Sequence, residues 1–182
     1  DKGAGKSTIA LKLARAGGTV FGEDHLILKR TGHAFCVSGC DERSRLTKET
    51  EAFFFEKPLD IVPQDFAGTM KKEVPAGELF ESKPYTDGPV DYLLFPRVGE
   101  RLFPERLSGK EMLLEMMRAT GKLQRFVDPV DRARFLDFLA AFAPGVGTYR
   151  LELSRELADL DGLVTFVRAL PARESGHATR AQ

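Results

Sequence analysis

GAGKST, residues 3 to 8, carries the strongest signal in the sequence. Within it, Gly5-Lys6-Ser7 matches the last three positions of the phosphate-binding pattern G-x-x-x-x-G-K-[ST]. Glycines at positions 3 and 5 let backbone N–H groups turn inward around phosphate oxygens, and the positive end of a following helix adds to the attraction. The segment therefore predicts a loop that binds the phosphates of a nucleotide.

Different residues of this loop are expected to bind the phosphates and the metal ion. Lys6 would reach the β and γ phosphates, and the hydroxyl of Ser7 would ligate Mg²⁺. The predicted cofactor-binding residues here are Gly3, Ala4, Gly5, Lys6, Ser7 and Thr8. The alternative is a glycine turn that happens to precede a helix. Because the pattern's first glycine would fall one position before Asp1, we expect a chain that begins inside the motif.

The segments after the loop predict one helix and several short strands. STIALKLARAG places apolar residues at helical spacing, and Gly17 and Gly18 are expected to end that helix. TVF at 19–21 and HLILK at 25–29 predict strands, with a return strand after a turn at Thr31-Gly32. From 38 to 88 we expect loops around one helix near 47–56. These loops would form either a mobile lid on the substrate side or an ordinary irregular connection.

Glu23 and Asp24 follow Lys6 at the predicted end of the next strand. Ligands of α/β sheets bind beyond the carboxyl ends of strands, so this pair is expected to face the phosphates. One carboxylate would hold Mg²⁺ while the other accepts a proton from an attacking hydroxyl. The alternative is a solvated acidic turn. The predicted catalytic residues are thus Asp24, Glu23 and Lys6, and the predicted metal ligands are Ser7 and Asp24.

The second half of the chain also alternates between strands and helices. VDYLLF at 90–95 predicts a buried strand, TYRLEL at 148–153 another, and DLDGLVTFVRAL a closing helix. Ser108 with Glu111 forms a capping box, and Asp128-Pro129 is a helix start. We expect an α/β layer fold with one domain over residues 1–172 and a polar tail over 173–182.

Composition excludes several classes of protein. The 182 residues contain 27 Lys plus Arg and 27 Asp plus Glu, which argues against a nucleic-acid partner. No apolar run approaches the roughly 20 residues of a membrane span, and we expect a cytoplasmic location. In HAFCVSGC, Cys36 and Cys40 with His33 and His25 would make a metal site in principle, but two reduced cysteines are the expected reading.

GAGKSTIALKLARAGGTVFGEDHLIL resembles the nucleotide-binding core of the HPr kinase family, which ATP-dependent phosphoenolpyruvate (PEP) carboxykinases share. SGCDERSRLTKETEAF resembles the glycine-cysteine segment of the carboxykinases, and Arg43 stands at its basic position, which implies a cofactor-binding role. VDYLLFPRVGERLFPERLSGKEMLLEMM and the closing segment are similar to small HPr-kinase-like proteins. HPr kinases typically have Asp-Asp where this chain has Glu23-Asp24, which makes Asp24 the principal metal and base candidate.

The resemblance implies a PEP-carboxykinase-like phosphate-binding fold with a mixed sheet and flanking helices. It also implies transfer of the γ-phosphoryl group of ATP, with Mg²⁺, to a serine hydroxyl of a protein or peptide. Arg97 is a candidate for neutralising charge in the transition state or an ordinary exposed arginine. The alternatives are a nucleotide-binding sensor or scaffold with little turnover and, less favoured, an ATP hydrolase. The sequence leaves the oligomeric state open, a homo-oligomer included.

Overall fold

The computed structural model describes residues 5–22, 26–32, 34–40, 42–81, 86–120, 128–154 and 157–171. Six helices and nine strands are mixed along these ranges, in agreement with the predicted α/β class. The helices are α1 Lys6–Arg15, α2 Lys48–Phe54, α3 Ala76–Leu79, α4 Gly109–Thr120, α5 Pro129–Phe142 and α6 Leu157–Ala169. The strands are β1 Leu26–Thr31, β2 Ala34–Gly39, β3 Arg43–Leu46, β4 Gln64–Asp65, β5 Met70–Pro75, β6 Asp87–Pro89, β7 Tyr92–Val98, β8 Phe103–Arg106 and β9 Gly147–Leu153.

The described residues form two compact units. Residues 90–154 with Pro171 make up one, which we call the 90–154 unit. Described residues from 5 to 89 with 157–170 make up the other, the 5–89 unit. Their strands pair as three small sheets of three strands each, rather than as the one mixed sheet expected. The predicted tail, 173–182, lies outside the described residues.

The 90–154 unit contains the sheet β7-β9-β8 and the helices α4 and α5. Strand β7 runs parallel to β9, from Tyr92 opposite Gly147 to Val98 opposite Leu153, while β8 runs antiparallel on the other side of β9. The core residues of this unit include Met112, Leu139, Phe142 and Leu151, each at most 1% exposed. The strand predicted from VDYLLF is confirmed, but its side chains are half-buried rather than fully buried.

Both predicted helix starts in this unit are confirmed by their hydrogen bonds. At α4, the backbone N–H of Glu111 donates to Ser108 Oγ at 3.3 Å, and the N–H of Ser108 donates to Glu111 Oε2 at 2.8 Å. At α5, the N–H of Val130 donates to Asp128 Oδ1 at 2.8 Å. These contacts satisfy N–H groups that have no partner within the helix.

The 5–89 unit contains the sheets β1-β2-β6 and β3-β5-β4, with α1, α2, α3 and α6. The predicted hairpin is confirmed: β1 and β2 pair antiparallel from Leu26 opposite Gly39 to Thr31 opposite Ala34. The strand predicted at TVF is reduced to one isolated bridge at Val20. Among the described helices of the chain, none is both long and apolar enough to cross a membrane.

The prediction of loops around one helix between 38 and 88 is wrong in part. Helix α2 is present, with Thr47 as its N-cap. However, β3 and β5 also pair antiparallel, from Arg43 opposite Pro75 to Leu46 opposite Lys72. Both strands carry charged residues on their outer face. Because apolar content is the main sequence signal for a strand, this pairing could not be predicted from the sequence.

Candidate functional site

Helix α1 begins at the predicted phosphate loop. Gly5 is its N-cap residue and has a left-handed backbone, φ 80° and ψ 12°, which a residue with a Cβ atom rarely adopts. The N–H of Ile9 donates to the Gly5 carbonyl at 2.9 Å and closes the first helical turn. The chain therefore needs glycine at position 5 in order to turn directly into the helix.

The charges along α1 favour an anion at its N-terminus. The first turn starts with Lys6 and has no acidic side chain, and every residue of that turn is described. Lys12 and Arg15 lie in the last turn, where the helix dipole stabilises cations. A lysine at the positive end of the dipole is unfavourable by the same argument. An anion bound at this end of the helix would be stabilised by the helix dipole and by the Lys6 charge together.

Thr8 connects the start of α1 to α2. Its hydroxyl lies 3.0 Å from the hydroxyl of Thr50, which is buried near the start of α2. The side chain is thus engaged with a second helix, whereas the backbone N–H belongs to the first turn and has no helical partner. The part of Thr8 that remains suited to phosphate is its backbone N–H.

The rest of α1 is held in place by packing and by polar contacts at its far end. Leu11 is 1% exposed and packs with Leu46 and Val74 in the core of the 5–89 unit. Lys12 Nζ lies 2.5 Å from Asp161 Oδ1, and Arg168 Nη2 donates to the Ala16 carbonyl at 2.6 Å, which links α6 to α1. These contacts fix the direction of the helix axis, and therefore the position of its N-terminus within the unit.

The C-terminus of α1 ends as the sequence predicts. Gly17 has a φ of 97°, and its N–H donates to the Ala14 carbonyl at 2.9 Å. The N–H of Gly18 donates to the Leu13 carbonyl at 3.0 Å. This pair of bonds is the Schellman arrangement, which depends on a left-handed residue after the helix.

Several predicted site residues lie outside the described residues. These are Gly3, Ala4, Glu23 and Asp24, together with His25 and His33. Their roles in holding phosphate, Mg²⁺ or a proton stay predictions. Of the predicted catalytic, metal and loop residues, the structure thus describes Gly5, Lys6, Ser7 and Thr8 at the start of α1. Among the described residues, no group of three or more His, Cys, Asp or Glu side chains is arranged to hold a metal ion.

Arg43, the remaining cofactor-binding candidate, is paired with a carboxylate. Its Nε lies 3.2 Å from Glu73 Oε2 across the β3–β5 ladder, and Arg45 Nε lies 3.2 Å from the other oxygen of Glu73. Arg45 also stacks over the ring of Phe66 at 4.5 Å. The two arginines therefore stabilise the outer face of this sheet, and a phosphate at Arg43 would compete with Glu73.

Sequence inspection missed a cavity of about 480 Å³ between α2 and β5. Its wall is mainly apolar, with Leu46, Phe55 and Met70, and Lys72 lines it beside Glu51. Glu51 accepts hydrogen bonds from Lys72 Nζ at 2.8 Å and from the Leu59 N–H at 2.5 Å. Burial raises the pKa of Glu51, but the bonds from Lys72 and Leu59 outweigh it, so the pKa lies below its ordinary value.

A second group that the sequence did not reveal surrounds Glu115 in the 90–154 unit. Its Oε1 accepts from Arg97 Nη2 at 2.5 Å, Arg150 Nη2 at 3.0 Å and Arg118 Nη1 at 3.2 Å. Burial raises the pKa of Glu115, but the hydrogen bond from Arg150 and the three positive charges outweigh it and lower the pKa. The structure thus gives Arg97 a carboxylate partner within its own unit.

Comparisons of the chain with protein-family models, with curated proteins and with solved structures find no match.

Proposed function

We propose that the protein is an ATP-dependent kinase that transfers the γ-phosphoryl group of ATP, with Mg²⁺, to a serine hydroxyl of a protein or peptide. The proposal includes the PEP-carboxykinase-like phosphate-binding fold. One observation carries it: a left-handed Gly5 leads directly into a ten-residue helix that begins Lys6-Ser7-Thr8 and has no acid in its first turn. That combination suits a phosphate chain at the N-terminus of a helix.

In this proposal, catalysis comes from positioning and charge neutralisation. The first N–H groups of α1 and the Lys6 ammonium hold the phosphates, and Ser7 and Asp24 hold Mg²⁺. Asp24 or Glu23 accepts the proton of the attacking serine hydroxyl. The bond from the γ phosphorus to the β–γ bridging oxygen breaks as the bond to the serine oxygen forms, which leaves ADP and a phosphoserine.

The kinase proposal is tested by incubating the chain with ATP labelled on its γ phosphate, Mg²⁺ and two peptide libraries. One library carries a central serine, and the matched library carries alanine at the same place. We expect label in the serine library alone. Lys6→Ala and Asp24→Ala should each lower the rate by about 100-fold or more, the typical effect of removing a group that stabilises transition-state charge.

Lys110→Ala is the matched control for Lys6→Ala. Lys110 is an exposed lysine in the first turn of α4, one position further into its helix than Lys6, and that helix begins at the Ser108–Glu111 cap instead of the glycine loop. Its removal should leave transfer unchanged. ATP binding without transfer or hydrolysis would instead support the sensor module, and hydrolysis without label on serine would support a hydrolase. Absence of ATP binding would refute all three.

A further inference from the structure

In the hydrogen-bonded group around Glu115, arginines outnumber carboxylates. Arg97, Arg118 and Arg150 all donate to one oxygen of Glu115, and Arg150 Nη1 also donates to Glu105 Oε2 at 2.5 Å. Within this hydrogen-bonded group, three guanidinium charges face two carboxylates. The charge of Glu111 lies near Arg150 as well, but its carboxylate is hydrogen-bonded to Ser108 at the α4 cap. The hydrogen-bonded group therefore has a net charge of +1.

Hydrogen-bond donors also outnumber acceptors in this cluster. Each guanidinium has five N–H donors, while three of them share one oxygen of Glu115. The Nε of Arg150 is buried and has no hydrogen-bond partner in the part of the chain that the structure describes. A buried donor without an acceptor is unfavourable, and it marks a place where the protein's own acceptors do not suffice.

Two of the arginines are accessible from solvent. The side chain of Arg97, on β7, is 41% exposed, and that of Arg118, in the last turn of α4, is 65% exposed. Glu115 itself is 8% exposed and lies beneath them. Because nitrogens of both arginines lie within hydrogen-bond range of the same oxygen, the two guanidinium groups are close enough for one tetrahedral anion to bridge them. Glu115 thus acts as an anchor that holds two donors side by side.

We propose that Arg97 and Arg118, positioned by Glu115, form a binding site for a phosphate group, either free phosphate or a phosphate monoester. Two guanidinium groups from different elements suit a tetrahedral oxyanion, whose several oxygens can bridge both, whereas a free carboxylate offers only two oxygens in one plane. The site lies entirely within the 90–154 unit. It stands independently of the kinase proposal, which depends on residues of the glycine loop and α1.

The test uses the full chain carrying Lys6→Ala, so that phosphate bound at the start of α1 does not obscure the result. Binding of inorganic phosphate, O-phosphoserine and acetate is measured by isothermal titration calorimetry. We expect both phosphate compounds to bind and acetate to bind at least 10-fold more weakly. Tighter binding of inorganic phosphate would identify the free anion as the ligand, and tighter binding of O-phosphoserine would identify a monoester.

The variants Arg97→Gln and Arg118→Gln, each added to Lys6→Ala, should weaken phosphate binding at least 10-fold. Arg134→Gln is the matched control, because Arg134 pairs with Asp131 three residues earlier on α5, as Arg118 pairs with Glu115 on α4. Arg118→Lys, which keeps the charge and loses the planar fork, should bind with intermediate affinity. This variant keeps the test valid if removal of an arginine disturbs folding.

Three outcomes would overturn the phosphate site. They are absence of phosphate binding to the Lys6→Ala protein, binding that both glutamine variants leave unchanged, and equal weakening by Arg134→Gln. Failure of the kinase proposal leaves this result untouched, since the assay contains no ATP and no acceptor peptide. A phosphate-binding chain without kinase activity would refute the first proposal and support the second.

Discussion

Glu51 and Glu115 are buried carboxylates of similar exposure, 7% and 8%, yet their surroundings differ. Glu51, in the 5–89 unit, faces one ammonium group, that of Lys72, and the backbone N–H of Leu59. Lys72 also donates to the Leu59 carbonyl at 2.6 Å. One cation and one anion therefore hold the chain at residue 59 against α2 and β5, and their charges balance.

Glu115, in the 90–154 unit, faces three guanidinium groups instead of one ammonium group. Burial of a glutamate therefore does not by itself indicate its role. The Glu51–Lys72 pair neutralises its own charges and needs no further ligand. Around Glu115, in contrast, partly exposed arginines outnumber the carboxylates, so some of their N–H donors remain accessible from solvent. The balance of charge around each carboxylate decides between the two interpretations.

The largest expected effect comes from removing the charge of Glu115. Glu115→Gln breaks three ion pairs at once, among them the largely buried pair with Arg150, and loss of one partner of a buried ion pair costs about 3–5 kcal/mol of unfolding free energy. Urea denaturation followed by circular dichroism measures it. Glu100→Gln, at an exposed position in the same unit, is the control and should change stability by less than about 0.5 kcal/mol. A loss below 1 kcal/mol for Glu115→Gln would show that the arginines do not depend on it.

A slightly smaller loss is expected for Lys72→Met. This change leaves Glu51 buried with a backbone donor but no cation, and should cost about 3 kcal/mol. Adding Glu51→Gln should recover most of the loss, because the double variant has no uncompensated buried charge. The same urea measurement on the two single variants and the double variant gives the coupling energy. Additive losses would mean that the pair does not act as a balanced clamp.

Acid should weaken both clusters, since the pKa of each glutamate is lowered in the folded state. Their contributions are complete above the unfolded pKa, about 4.5, and are lost as the pH falls through the folded pKa. The stability difference between the unmodified chain and Glu115→Gln should therefore be constant near neutral pH and shrink under acid. Unfolding curves at a series of pH values test this, and a difference independent of pH would exclude the carboxylate as its origin.

Much of the fold could be predicted from the sequence where the signals are local. The capping box at Ser108, the helix start at Asp128 and the hairpin after β1 each depend on a few adjacent residues. Pairing of β3 with β5 could not be predicted in this way, because their charged faces are stabilised by ion pairs such as Arg43–Glu73 across the sheet. Ion pairs between strands cannot be predicted from the pattern of apolar residues.

The two candidate sites differ in the same way. The phosphate loop is a contiguous motif, so the sequence could predict a helix start with Gly5, Lys6 and Ser7. The Glu115 cluster joins side chains separated by 18 and 35 residues, and Arg97 and Arg150 reach it from different strands. Only the parallel register of β7 and β9, which places Phe95 opposite Arg150, brings those strands side by side.

The smallest expected effect separates the two clusters most sharply. Arg118→Gln removes one of three cations from Glu115 and leaves the carboxylate paired with Arg97 and Arg150, so the unfolding free energy should fall by less than about 1 kcal/mol, as for an exposed ion pair. Lys72→Met removes the sole ammonium group described at Glu51 and should cost several times more. If Arg118→Gln were as damaging as Lys72→Met, Arg118 would be a structural residue. All three arginines of the Glu115 cluster would then be required for stability, and none would be available to bind a phosphate.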